Sequence, residues 1–323
     1  MKNKDPLFTR HGREVILAPL SGVSDLPFRM ICREFGARLC FFEMLDVHSL
    51  LNGQPRALRM LKTHKSDRPT AVQLLGRDPA MVCEAASMLS DIVKPPFIDI
   101  NAACPARKVI KKKAGAYLLK DTDALAAVLE RLSSSAGVPV TVKIRTAYGR
   151  RSVEETARIA KLCEASGAGA IFIHGRTVAQ GYSGGADYEA IRKAREAVGI
   201  PVIASGDITS PVMAAGMFEK TGCHGVLVAR GAMGNPWIFN NIKIYLENGR
   251  FDASPSLEEK KSVLRRHLSY VVKHKEMHPR DKLGYMCKIT MWYLKGIGGA
   301  RRLRDKLGKV RDNEGLQSMI DNA

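Results

Sequence analysis

The chain has 323 residues, enough for one large domain or for a domain of about 250 residues with a smaller one attached. Hydrophobic residues make up 45% of it and charged residues 26%, values that exclude a disordered or fibrous chain. Because 51 lysines and arginines face 32 acidic residues, the net charge is +19, which predicts a polyanionic partner such as nucleic acid or an acidic membrane.

Targeting and metal-binding patterns are not found in the sequence. The N-terminus has no apolar leader, and nowhere do 18 apolar residues follow one another, so we expect a cytoplasmic protein without membrane association. Seven scattered cysteines without a C-x-x-C pair predict neither a disulfide framework nor a zinc site. We expect no metal, and nothing in the sequence points to a protein partner.

Short apolar, β-branched segments recur along most of the chain at intervals of about 30 residues, the size of a βα unit. They predict strands at 15–20, 39–45, 70–75, 97–103, 138–145, 170–176, 200–207 and 225–230. Helical patterns lie between them at 78–92, 121–134, 153–166, 188–198 and 210–220. Eight such units predict a closed (β/α)₈ barrel, the TIM-barrel fold.

The main alternative is a doubly wound open sheet that binds a nucleotide. It is disfavoured because no G-x-G-x-x-G follows the first predicted strand and no G-x-x-x-x-G-K-[ST] occurs.

After the last predicted strand the pattern changes to amphipathic helix without strands. We therefore expect a barrel domain over residues 1–251 and a small all-α domain over residues 252–323. The second segment is about twice as basic per residue as the first. Its cationic face predicts nucleic-acid binding, whereas Trp292 and Tyr293 are expected in its core.

Reacting groups in a (β/α)₈ barrel lie at the carboxyl ends of the strands. Seven of these ends carry chemically useful residues, namely Pro19, Leu20, Ser21, Gln73, Asn101, Cys104, Lys143, Arg145, His174, Arg176, Ser205, Gly206, Asp207, Ala229 and Arg230. The last two loops read as a phosphate site, because glycine-bearing loops after the final strands present N–H groups to an anion in this fold. Cys104 is the only cysteine at the expected barrel mouth, and proton transfer suits it better than covalent hydrolysis.

Several motifs in chain order resemble the tRNA-dihydrouridine synthase family, and most of all its bacterial B subgroup. They are residues 18–29, Gln73-Leu74, Asp99-Ile100-Asn101 with Cys104-Pro105, Ala114-Gly115-Ala116, Lys143-Ile144-Arg145, His174-Gly175-Arg176-Thr177, Gly206-Asp207-Ile208 and Pro236-Trp237-Ile238-Phe239. The resemblance implies an FMN-dependent reductase in which NADPH, or NADH, reduces the flavin. A hydride then passes to carbon 6 of a uridine in tRNA, and Cys104 protonates carbon 5.

The resemblance also implies residue roles. FMN would lie against Pro19, Leu20 and Ser21, with Gln73, Lys143 and His174 beside its ring. The loops at Ser205, Gly206 and Asp207 and at Ala229 and Arg230 would hold its phosphate. We expect Asn101, Arg145 and Arg176 to contact the substrate, and residues 252–323 to bind tRNA. A uridine in folded tRNA must be taken out of its stack to reach such a site, and phosphate contacts would offset that cost.

The sequence departs from the usual family pattern at four positions: Leu20 replaces Met, Ala103 replaces Gly, Ser205 replaces Asn and Ala229 replaces Gly. We expect FMN binding to survive these changes. Two alternatives stay open. One is a flavin oxidoreductase acting on a free pyrimidine or other small molecule, and the other is a non-catalytic RNA-binding protein that keeps the barrel as a scaffold.

Overall fold

The structure, a computed structural model, describes residue 8 and residues 12–251, 254–295 and 300–322, the side chains of residues 300 and 301 excepted. The predicted domain boundary between residues 251 and 252 adjoins a gap in this description, because residues 252 and 253 lie outside the described part. No helix within these ranges combines the length and apolarity needed to cross a bilayer.

The described residues form nine parallel strands. They are β1 (Glu14–Leu17), β2 (Leu39–Phe41), β3 (Leu45–Asp46), β4 (Thr70–Leu75), β5 (Ile98–Ala102), β6 (Val140–Arg145), β7 (Ala170–His174), β8 (Val202–Ser205) and β9 (Gly225–Val228). From β4 to β9 each strand pairs with the next, β9 pairs with β1, β1 with β2, and β2 with β4, which closes the barrel. The predicted (β/α)₈ barrel is confirmed, and β3 is a two-residue extension of the second predicted strand.

Helices surround the barrel. They are α1 (Leu26–Glu34), α2 (Val47–Leu51), α3 (Pro55–Met60), α4 (Pro79–Val93), α5 (Arg107–Lys111), α6 (Thr122–Ser135), α7 (Val153–Ala165), α8 (Tyr188–Ala197), α9 (Pro211–Thr221) and α10 (Ile238–Asn248). The five predicted helices correspond to α4 and α6–α9. Each begins after an Asp or Ser whose side chain accepts a hydrogen bond from a first-turn N–H, as at Asp78 and Ser210.

The inside of the barrel is filled with side chains. Phe41, Phe97 and Phe172 pack with ring centroids 5.3–6.1 Å apart, and Ile16 and Leu227 complete the same buried cluster. A second, larger cluster lies between the strands and the surrounding helices. Since the barrel is a packed core, only its carboxyl-terminal mouth offers room for a ligand.

After β9 the described residues contain helices and no further strand: α11 (Leu257–His274), α12 (Pro279–Tyr293), α13 (Ala300–Gly308) and α14 (Asn313–Asp321) follow. A capping box between Ser256 and Glu259 starts α11. These helices share a buried apolar cluster with Ile31 of α1. Tyr293 is 2% exposed and Trp292 is half-buried against the same cluster, which confirms their predicted place in the core.

Candidate active site

A cavity of about 210 Å³ opens at the carboxyl ends of the strands. Every predicted site residue except Arg176 lines it, namely Pro19, Leu20, Ser21, Gln73, Asn101, Cys104, Lys143, Arg145, His174, Ser205, Gly206, Asp207, Ala229 and Arg230. The fold thus brings together residues that are more than 200 positions apart in sequence.

A buried polar ladder crosses β4, β5 and β6 below this cavity. Gln73 Nε2 donates to Asp99 Oδ2 at 2.7 Å, and Gln73 Oε1 accepts from Asn101 Nδ2 at 2.7 Å. Asp99 Oδ1 accepts from the Thr141 hydroxyl at 2.7 Å. Burial raises the pKa of Asp99, while hydrogen bonds from Thr141 and Gln73 oppose that shift. The ladder therefore engages the Nε2 and Oε1 atoms of Gln73 and the Nδ2 atom of Asn101 in hydrogen bonds within the protein.

Asn101 acts on the turn that carries Cys104. Its Oδ1 accepts hydrogen bonds from the backbone N–H groups of Ala103 at 3.1 Å and Cys104 at 2.9 Å. On the other side, the Cys104 carbonyl accepts from Ala116 N at 3.0 Å. The backbone of Cys104 is therefore held from both sides, and the half-buried thiol makes no hydrogen bond with the described residues.

The next turn leaves room for Cys104 only because residue 115 is glycine. Gly115 has φ +62°, and a Cβ there would lie 2.9 Å from the Cys104 carbonyl oxygen. Glycine adopts this backbone conformation without the strain that other residues incur. The position of the thiol thus depends on a turn eleven residues further along the chain that packs directly against Cys104.

Two ionisable side chains in the cavity are shifted toward their neutral forms. Burial, followed by the positive charge of Arg145, lowers the pKa of Lys143 to about 8. Burial, reinforced by Lys143 and Arg145, lowers the pKa of His174 to about 2, so its imidazole is neutral at physiological pH. Neither side chain has a hydrogen bond or ion pair within the described residues, which leaves both free to bond a ligand.

Arg145 is 2% exposed and donates three hydrogen bonds to backbone carbonyls. Its Nε donates to Ala103 at 3.0 Å, and its Nη1 donates to Thr177 and Gly181 at 2.8 Å each. Its Nη2 makes no hydrogen bond within the described part of the chain. Arg145 therefore braces the loop after β7 and still has one donor group for the cavity.

Arg176, predicted as a substrate contact, lies behind the cavity wall and does not line it. It is 3% exposed, and its guanidinium donates to the carbonyls of Ser183 and Gly184 and to Asp207 Oδ2, the last at 2.8 Å. These contacts use Nε and Nη2 on the loop and on Asp207, whereas Nη1 is buried without a hydrogen-bond partner among the described residues. Arg176 therefore holds the loop after β7 against Asp207.

The predicted phosphate loops approach each other closely. A Cβ on Gly231 would lie 2.1 Å from the Ile208 carbonyl oxygen, and Asp207 adopts φ +55°. Asp207 Oδ2 accepts from Ala186 N at 3.0 Å, and its Oδ1 lies 4.0 Å from Arg230 Nη2. The Asp207 carboxylate thus ties the two loops together, and the guanidinium of Arg230, 58% exposed, remains open to a ligand.

Two lining residues, Met44 and Tyr182, were not predicted. The Tyr182 ring is 61% exposed and lies 4.9 Å from the Arg230 guanidinium and 5.6 Å from that of Arg145. The available signal for Tyr182 was an aromatic residue in a glycine-containing segment shortly after the sixth predicted strand, which is β7 of the structure. Met44 Sδ accepts from Asn101 Nδ2 at 3.7 Å, and its place at the end of the second predicted strand could have revealed it.

Comparisons with known proteins agree with this geometry. A sequence profile described as "Dihydrouridine synthase (Dus)" matches residues 16–323. The chain is 40% identical over 306 residues to tRNA-dihydrouridine synthase B of Pseudomonas aeruginosa, covering 93% of this chain and 89% of that protein. It is 36% identical over 302 residues to tRNA-dihydrouridine synthase B of Pasteurella multocida, covering 92% and 89% respectively.

Solved structures share the fold at much lower identity. Histamine dehydrogenase from Rhizobium sp. 4-9 matches with a TM-score of 0.56 and 16% identity, over 82% of this chain and 51% of that one. A mutant of morphinone reductase in complex with tetrahydroNAD matches with a TM-score of 0.54 and 11% identity, over 78% and 93%. These likenesses support the barrel, and the sequence matches identify the family. The chain belongs to the dihydrouridine synthase family of flavin-dependent oxidoreductases.

Proposed function

We propose that this protein reduces the carbon 5–carbon 6 double bond of specific uridines in tRNA, with FMN as cofactor, NADPH as reductant and Cys104 as proton donor. One observation carries the proposal. A single thiol, that of Cys104, lies in the same cavity as Lys143 and His174, whose side chains are free to bond a cofactor. The names of the curated relatives support the same substrate class.

The residues at the barrel mouth fit a flavin mononucleotide. The close approach of Gly231 to Ile208 and the largely exposed guanidinium of Arg230 suit a phosphate held by loop backbone and one cation. Lys143, with no ion pair among the described residues, supplies a donor for the polar edge of the ring. FMN bound there would accept a hydride from NADPH and deliver it to carbon 6 of the uracil.

The protein's own contribution is positioning and proton transfer. Asn101 and Gly115 hold the Cys104 turn, so the thiol points from a fixed backbone and does not need ordering at the moment of reaction. A thiol ordinarily keeps its proton at neutral pH and releases it readily, which suits protonation of carbon 5. His174 is neutral, so it can offer a hydrogen bond without adding a further charge to a cavity that already holds cations.

We further propose that residues 252–323 form a domain that binds the tRNA, and that residues 1–251 form the catalytic domain. Three cations on this segment are exposed and have no ion pair within the described residues: Lys273, Arg280 and Lys295. The same is true of Lys111 and Lys113 beside the Cys104 turn. Unpaired cations on the helical segment and beside the Cys104 turn suit an RNA whose phosphates are contacted while one uridine is extruded.

The test is reduction of unmodified tRNA by the purified, flavin-loaded protein with NADPH, followed by mass mapping of dihydrouridine. We expect specific uridines to be reduced, and Cys104→Ala to lower the rate about 10²–10⁴-fold, the usual contribution of a general acid. Cys287→Ala is the matched control, because this half-buried cysteine lies on α12 and does not line the cavity.

Two results would overturn the proposal. One is full activity in the Cys104→Ala variant, which would remove the thiol from the reaction. The other is reduction of free uridine as fast as that of tRNA, which would make the protein a small-molecule reductase on the same barrel.

A further inference from the structure

A second cavity, of about 440 Å³, opens beside the active-site cavity on the same face of the barrel. The two share Ser21 and Met44 as a common wall. The second cavity is enclosed by β3, α2, α3 and α5, none of which contributes a residue to the proton-donor or phosphate loops described above. A ligand long enough to cross this wall could occupy both cavities at once.

The floor of the second cavity is apolar. Leu45, Ala57 and Val109 are buried, and Met44 and Met60 are half-buried at its sides. Methionine side chains are flexible and polarizable, so they adapt to flat ring systems. A cavity of this size with such a floor accommodates a purine base.

The rim of the cavity carries two amides, Asn52 and Gln54, on the connection between α2 and α3. Both are exposed, and neither side chain has a hydrogen bond within the described ranges. An Asn or Gln amide pairs in bidentate fashion with the amino group and N7 of adenine. The free amides therefore favour adenine among the planar ligands that the floor could accept.

Two cations that line the cavity are also unpaired. Arg56 on α3 and Lys108 on α5 line it, are exposed, and have no ion pair among the described residues. The lining carboxylates are already engaged, because Asp46 pairs with Lys112 at 2.8 Å and Glu43 accepts a hydrogen bond from Gly22 N. An arginine with a nearby lysine is well suited to a phosphate monoester, which the guanidinium can bind through two donors.

We propose that this cavity binds the 2′-phosphoadenosine half of NADPH, with Arg56 and Lys108 on the 2′-phosphate, while the nicotinamide half crosses the Ser21–Met44 wall into the active-site cavity. The inference rests on the proposed function, which supplies NADPH as the reductant. It adds a binding site that selects NADPH over NADH.

A nucleotide of the substrate RNA fits the second cavity less well. Base flipping takes the reacting nucleotide out of the stack, and a neighbouring nucleotide would have to be unstacked at additional cost before it entered the recess. The adenine of a dinucleotide is joined to the nicotinamide by a flexible pyrophosphate and has no such constraint.

The direct test is calorimetric titration of the protein with adenosine 2′,5′-bisphosphate and with adenosine 5′-monophosphate, neither of which requires RNA or turnover. We expect the bisphosphate to bind at least tenfold more tightly. Arg56→Gln and Lys108→Gln should each weaken it about tenfold or more and leave the monophosphate unchanged, since each removes one charge-assisted contact to the 2′-phosphate.

Arg59→Gln and Arg107→Gln are the matched controls, because these exposed cations lie on the same two helices and do not line the cavity. Equal binding of the two adenosine ligands, or equal losses in the control variants, would overturn the proposal. So would Arg56→Gln and Lys108→Gln variants that bind tRNA more weakly and the bisphosphate normally, because the cavity would then belong to the RNA.

A second readout separates this inference from the proposed function. The rate of flavin reduction by NADPH and by NADH is measured anaerobically without RNA. We expect Arg56→Gln to lower the NADPH to NADH preference about tenfold, with the rate for NADH unchanged. If Arg56→Gln lowers the NADPH to NADH preference but the unchanged protein does not reduce tRNA, the proposed function is overturned and the binding site stands. If the preference is the same in Arg56→Gln as in the unchanged protein, the binding site alone is overturned.

Discussion

Buried cations in the active-site cavity differ in ion pairing from those at the interface between the barrel and the C-terminal helices. On the barrel side of this interface, Arg29 of α1 donates to Asp67 at 2.6 Å. Across the interface, Lys275 on the loop after α11 donates to Asp25 at 2.5 Å. In the cavity, Lys143 and Arg145 have no carboxylate within ion-pair distance among the described residues.

This difference shows which charges stabilise the fold and which serve a ligand. A paired cation satisfies a buried carboxylate, and its loss leaves an uncompensated charge. An unpaired cation is itself a cost to the folded state, as the lowered pKa of Lys143 indicates. Substitutions in the two regions should therefore separate stability from activity.

The largest expected effect is on stability, in Arg29→Met. Arg29 and Asp67 are fully buried, and Arg29 also donates to the carbonyls of Ser24 and Lys62. Asp67 keeps its ion pair with Arg33 Nε at 3.1 Å, so removing Arg29 should lower the free energy of unfolding by about 3 kcal/mol, the lower end for one partner of a buried pair. Denaturant unfolding measures it, with exposed Arg38→Met as the control. A loss below about 1 kcal/mol would show that the interface pairs are no more important than surface charges.

Lys143→Met tests the other side of the comparison. We expect tRNA reduction to fall about 10²-fold, the usual cost of removing one preorganised donor from an active site. The denaturation midpoint of the flavin-free protein should stay the same or rise, because a buried, unpaired ammonium is replaced by an apolar side chain of similar length. A clear fall in that midpoint would show that Lys143 stabilises the fold after all.

Lys275→Met should have a smaller effect than Arg29→Met. Asp25 keeps two other partners, Tyr285 Oη at 3.0 Å and the N–H of Phe28 at 3.1 Å, and Lys275 is 19% exposed. We expect a loss of about 1 kcal/mol in unfolding free energy. Lys275→Met combined with Tyr285→Phe should cost more than the sum of the single changes, because Asp25 then loses both side-chain partners. Strict additivity in this double-mutant cycle would show that the two contacts are independent.

The smallest expected effect is a pH dependence from His267. This histidine is fully buried at the interface, and burial lowers its pKa to about 4, so it is neutral in the fold. A group with a depressed folded pKa contributes stability that is present above its unfolded pKa of about 6.5 and lost as pH falls toward 4. At pH 6 the loss should stay under about 1 kcal/mol.

His267→Phe checks this assignment by comparing unfolding free energies at pH 8 and pH 6. The variant keeps the aromatic contact with Phe28, whose ring centroid lies 5.9 Å away, and has no titratable group. Its stability should fall less steeply with acid than that of the unchanged protein. An identical slope in both proteins would assign the acid sensitivity to other groups.

The fold was predictable from the sequence because a βα repeat leaves a regular pattern, with apolar strands, capping residues and amphipathic helices at even spacing. The strand ends in turn located most of the cavity, since every parallel strand points its carboxyl end to the same mouth. The pattern does not reveal where long side chains fold back. Arg176, for example, follows a strand end in the sequence, yet its side chain bonds to its own loop and to Asp207.

Tyr182 and the second cavity were not predictable for a related reason. Tyr182 reaches the cavity only because Arg145 and Arg176 hold the irregular loop around it through backbone carbonyls. Such contacts leave no periodic signal in the sequence. The second cavity is formed by α2, α3 and α5, three helices of five or six residues, which are too short to show a helical period.

Gly234 has a consequence for how substrate is recruited. A Cβ at this position, φ +69°, would lie 2.2 Å from the Trp292 carbonyl oxygen, so the loop after β9 and the end of α12 touch with no clearance. Together with the shared apolar cluster, this contact packs the end of α12 directly against the barrel. We therefore expect the deformation that delivers a base to the barrel mouth to take place in the nucleic acid.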